Sequence, residues 1–105
     1  MVIDNPRYRE KPFLRLLECY VLWAIDELPL ARAQTLREMT PTLRSTYHVE
    51  GDWQEIIAAV MELPENMPSL IRDLWVKNQQ IARQAGATLT PQQFAEMFVD
   101  ENLVS

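Results

Sequence analysis

Apolar residues recur along this chain at three- and four-residue spacing, in segments separated by prolines and turn-forming clusters. The densest segment spans positions 12–28, PFLRLLECYVLWAIDEL, within which Cys19 to Ile25 is unbroken by a charged side chain. Wound as a helix advancing roughly 100° per residue, it gathers Arg15, Glu18 and Asp26 into one narrow stripe, with Cys19 and Leu22 between them. A helix wet on so little of its surface must be covered by neighbours. The pattern therefore predicts a central spine that opens at Pro12, where a missing N–H costs nothing, and ends or kinks at Leu28-Pro29.

Shorter amphipathic segments follow. Leu30, Ala33, Leu36 and Met39 share one side of a predicted helix over 30–39. Thr40-Pro41 carries the hydroxyl-then-proline signal of a new helix start, and Leu43 and Tyr47 share a face of the short segment after it, read either as a separate helix or as a kinked continuation. Asp52 and Glu55 form an acidic capping box around Trp53, starting a helix that turns Ile56, Ile57, Val60 and Met61 inward. The two prolines of Leu63-Pro64-Glu65-Asn66-Met67-Pro68 predict a loop. From Pro68 to Ala85, the positions Leu70, Ile71, Leu74, Trp75, Ile81, Ala82 and Ala85 fall on an inward face, and Gly86 is placed to cap the helix in the left-handed conformation. Thr90, Pro91 and Gln93 form a second capping box, with Leu89 and Phe94 as its hydrophobic staple.

The predicted fold is a single all-α domain, a compact irregular (orthogonal) bundle of five or six short helices around the central apolar helix. Residues 1–11 are read as an irregular N-terminal arm and 12–105 as the helical domain. Composition agrees: two glycines leave little material for hairpin turns, while seven prolines supply helix starts and stiff connections. At 105 residues and 48% apolar content, the chain has enough material for one core without disulfides or metal. One cysteine permits no internal disulfide, and the longest apolar run is too short to span a bilayer about 30 Å thick, so the expected setting is cytoplasmic.

Charge divides the chain. Residues 1–48 carry seven Lys or Arg against six Asp or Glu, whereas residues 49–105 carry three against nine, for a net charge of −5. A surplus of this sign repels phosphate backbones and disfavours nucleic acid as a partner; the basic exception, Arg7 to Lys11, reads as a solvated tail. The segment from Glu50 to Glu65 holds five acids and no base.

Catalytic and cofactor patterns are missing. Cys19 and His48 are each the sole residue of their type, and a thiol inside an apolar run is raised in pKa rather than activated. The chain has no Cys-x-x-Cys, His-x-x-x-His or Glu-x-x-His spacing for a metal, and no glycine-rich phosphate loop or nucleophile elbow, so neither cofactor nor metal is expected. Trp23 and Trp75 read as core. Trp53 sits on the acidic segment, where an aromatic ring can anchor a basic partner, and the candidate partner-binding residues are Trp53, Glu55, Glu62 and Glu65. The expected function is a small protein-interaction or regulatory module whose acidic second half meets a basic partner, with self-association through the spine or the final helix as a related expectation. The alternative is a small-ligand-binding helical domain, or an enzyme with an apolar pocket.

Overall fold

The structure, a computed structural model, describes residues 11–103; positions 1–10 of the predicted arm at 1–11 lie outside them, and Lys11, expected in the arm, belongs to the first helix. The described chain is all helical. Helix α1 spans Lys11–Ala24, α2 Leu30–Tyr47, α3 Trp53–Val60, α4 Met67–Gln84 and α5 Pro91–Phe98, which runs on into a terminal π-helical turn, Val99–Leu103. Helix α1 is the hub: α3, α4, α5 and the terminal turn all pack on it, while α2 lies chiefly against α3.

The spine is buried as its apolarity requires. Phe13, Leu16, Leu17, Tyr20, Val21, Leu22 and Ile25 are all in the core, together with Leu36 and Leu43 of α2, Ile56 and Ile57 of α3, Ile71 of α4 and Phe94 and Phe98 of α5. Each large side chain fully withdrawn from water contributes roughly 1.5–3 kcal/mol before conformational entropy is subtracted. Cys19 and Leu22, which lie on the predicted wet stripe, are buried too. Above them Gln92 of α5 donates from Nε2 to Glu18 Oε1 at 2.9 Å, and Arg32 of α2 donates to Gln92 Oε1 at 3.5 Å, so the polar stripe is roofed by side chains from two other helices.

Helix α1 ends one turn earlier than Leu28-Pro29 predicts. Asp26 takes the left-handed conformation at φ 60°, the Glu27 N–H reaches the Leu22 carbonyl at 2.8 Å and the Asp26 N–H the Trp23 carbonyl at 3.1 Å. This is the Schellman termination, in which a residue with positive φ lets two amides turn back onto orphan carbonyls. The same device ends α3, with Glu62 at φ 53° and the Leu63 N–H on Ala58 O, and α4, with Gly86 at φ 73° and the Ala87 N–H on Ala82 O. Only the third uses glycine, the residue with no Cβ penalty in that conformation.

Thr40-Pro41 does not start a helix. Helix α2 runs unbroken through it, and Thr40 is buried with its hydroxyl donating to the Leu36 carbonyl at 2.8 Å. The buried stripe is Leu36, Thr40 and Leu43, not the predicted face with Leu30 and Met39, which are exposed. Proline is tolerated because Pro41 and Arg37 both lie on the solvent side, so the carbonyl that loses its donor can be hydrated. Helix α4 departs most from its pattern: of its predicted inward positions only Ile71 is buried, while Leu70, Leu74 and Ile81 are exposed.

Candidate functional site

Three acids of the acidic segment share one rim. The segment's first turn is set by Gly51, at φ 110°, whose carbonyl accepts from Arg44 Nε of α2 at 2.8 Å. Glu55 folds back over this glycine: a Cβ placed on Gly51 would sit 2.9 Å from Glu55 Oε2, and Glu55 Oε1 accepts from the Asp52 N–H at 3.3 Å, as the capping box requires. The start of α3 thereby orients the first acid. The left-handed termination at its other end, 62–63, holds Glu62, and the Pro64 turn that follows holds Glu65.

Glu55, Glu62 and Glu65 border a single open groove of about 310 Å³ between the end of α1, the outer face of α3 and the start of α4. Its remaining surface is largely apolar: Tyr20 and Trp23 of α1, Ala58 and Ala59 of α3, and Leu63, Pro64 and Pro68. Among the described residues no basic side chain lines it. Three of the four residues singled out in the sequence therefore converge, although they belong to different turns of the chain.

The fourth is placed differently. Trp53 is only 6% exposed, and its ring meets Trp23 edge to face at 6.2 Å between centroids. The indole that reaches the groove is Trp23, expected in the core but 38% exposed, flanked on its other side by Tyr20 at 5.6 Å. Trp23 stands in the last turn of α1 on the side that faces the groove, while Val21, Leu22 and Ala24 beside it are buried, and an indole is large enough to be seldom fully enclosed. No sequence signal set it apart from the buried residues around it. Trp53 is thus a backing for the exposed ring, and the buried rings of Tyr20 and Trp53 stand on either side of Trp23.

A second depression, of about 470 Å³, lies over Cys19 and is lined by Leu14, Arg15, Glu18, Arg32, Gln92 and Glu96. It is a charged cleft. Burial pushes the Cys19 thiol above its ordinary pKa; the Arg32 guanidinium offsets part of that rise, and Glu18 adds to it. Such a thiol is disfavoured as a thiolate nucleophile. His48 does not line this cleft; it is exposed at the left-handed end of α2. Among the described residues no three His, Cys, Asp or Glu side chains are grouped as a metal site requires, and no helix is long and apolar enough to cross a membrane.

The chain matches no protein-family model, no curated protein and no solved structure.

Proposed function

We infer that this protein is a small interaction module that uses the groove between α1, α3 and α4 to hold a basic segment of another protein. The single observation that carries the reading is the convergence of Glu55, Glu62 and Glu65 on a groove whose exposed aromatic is Trp23. An exposed indole edged by carboxylates suits an arginine or lysine side chain, whose cation can lie on the ring face while its charge meets the acids; such contacts contribute roughly 0.5–2 kcal/mol each. Apolar neighbours on the bound segment would cover Ala58, Ala59 and Leu63. The groove's rim charge favours fast, salt-sensitive association.

The backbone offers a way to separate the groove's charge from the stability of the fold: Glu62, like Asp26 and His48, occupies a conformation in which glycine would be more stable. Substituting Glu62→Gly should stabilise the fold by about 0.5–1 kcal/mol while weakening the groove for a cation.

The test is selection from a displayed library of random peptides on the immobilised protein and on a Glu55→Gln, Glu62→Lys, Glu65→Lys variant. Glutamine at 55 keeps an acceptor for the Asp52 N–H, so the cap survives. The native protein is expected to enrich peptides containing arginine or lysine beside an apolar residue, with affinity falling as salt rises, and the variant to lose that enrichment. Equal enrichment on both proteins, or none on either, overturns the reading.

A further inference from the structure

Helix α4 carries more apolar surface than the described residues cover. Ile71 is fully buried and Trp75 and Ala82 are partly covered against the body, yet Leu70, Leu74 and Ile81 remain 43%, 37% and 55% exposed. At roughly 100° per residue these three fall within about 40° of one another, some 60–100° around the helix from Ile71. They form one stripe, about 16 Å long, spaced four and seven residues apart, with Lys77 completing the three-four alternation between Leu74 and Ile81. Asp73 stands on the flank of this stripe away from the protein body.

The charges say what fits there. Lys77 follows Asp73 by one turn on the outer side of the stripe, an order that a second copy of the same helix, running antiparallel, would meet in reverse. With a twofold axis passing between residues 75 and 76, Leu70 of one copy lies over Ile81 of the other, and the stem of Lys77 lies over Leu74. The Lys77 ammonium can then extend to Asp73 of the opposite copy, and symmetry forms the pair twice.

We propose that the protein self-associates as a twofold antiparallel dimer through α4, with Leu70, Leu74 and Ile81 as its seam and reciprocal Asp73–Lys77 pairs fixing its register. This surface is separate from the acidic groove, and the dimer stands or falls independently of what the groove binds. Three large apolar side chains from each copy make a small interface, so the dimer is a weak one, dissociating in the micromolar range.

Sedimentation equilibrium from about 1 μM to about 1 mM tests this directly, with circular dichroism to check each variant's fold. The full chain is expected to pass from monomer to dimer across the range. Leu74→Glu with Ile81→Glu should abolish the dimer without altering helix content, because both positions are exposed. Asp73→Lys or Lys77→Glu alone should weaken it about tenfold by setting like charges against each other twice, and the two together should restore it to within about fivefold. A monomer throughout overturns the proposal and leaves the stripe to a partner of different sequence. A dimer indifferent to the Leu74 and Ile81 changes, or one in which the double charge exchange is no better than the single ones, overturns it as well.

Discussion

Helices α1 and α4 both carry apolar residues at helical spacing, α1 the more densely, and their apolar faces meet opposite fates. In α1 every large apolar side chain from Leu16 to Ile25 is buried except Trp23; in α4 only Ile71 is, and Leu70, Leu74, Val76 and Ile81 face solvent. The difference lies in the neighbours. Three helices and the terminal turn pack on α1, whereas α4 touches the body chiefly through α1 itself. Periodicity specifies which side of a helix is apolar, but the number of elements available to cover that side is a property of the whole arrangement. The comparison teaches that a broad apolar face on a helix is either a core or an interface, and that the same pattern serves both.

The largest effects should come from emptying the covered face. Leu17→Ala should destabilise by about 3–4 kcal/mol in denaturant titration, because a side chain with no exposure leaves a cavity. Ile71→Ala, the corresponding change in α4, should cost about 2–4 kcal/mol. Leu74→Ala should cost less than about 1 kcal/mol at protein concentrations where the chain is monomeric. Equal costs at positions 17 and 74 would mean that the two faces are covered alike, and the contrast would collapse.

Smaller effects separate the two helix ends. Gly86 closes α4 with nothing within 4 Å of where a Cβ would stand, so Gly86→Ala should cost about 1 kcal/mol from backbone strain alone. Asp26 closes α1 in the same conformation, and Asp26→Gly should gain about 0.5–1 kcal/mol. Opposite signs in thermal melting at these two positions would confirm that one motif ends both helices.

The smallest is a pH dependence confined to α1. Burial raises the pKa of the Cys19 thiol and of the Tyr20 phenol, so the folded state holds these protons more tightly than the unfolded chain does. Stability from this source is complete at neutral pH and declines as pH rises above the ordinary thiol range, through the raised folded values. Cys19→Ala should flatten the first part of that decline in melting curves taken against pH, leaving the part due to Tyr20. Among the described residues, α4 has no buried group to contribute a matching slope.

Much of the architecture was legible in the pattern alone. The helical class, the spine at its centre, a loop within the predicted 63–68 (its last two residues already open α4), the Gly86 termination and both capping boxes followed from residues acting within a few positions of themselves: Thr90 Oγ1 accepts from the Gln93 N–H at 3.1 Å, and Gln93 Oε1 from the Thr90 N–H at 3.0 Å. At Thr40-Pro41 the pattern left a new helix and a continuation both open, and the structure decides for continuation because burying Leu36, Thr40 and Leu43 in one line favours a single helix. The reading failed at the end of α1, since aspartate in the left-handed conformation has no sequence signature as strong as glycine's.

The candidate site divides in the same way. The sequence determined that Glu55, Glu62 and Glu65 are acids on short polar stretches beside a helix start and a helix end, because charge and capping are local properties. Tertiary structure alone decided that they share a groove, that Trp23 and not Trp53 is the ring they surround, and that the stripe on α4 is bare. Exposure is set by what the rest of the chain places nearby, and periodicity carries no information about how many neighbours a helix will have.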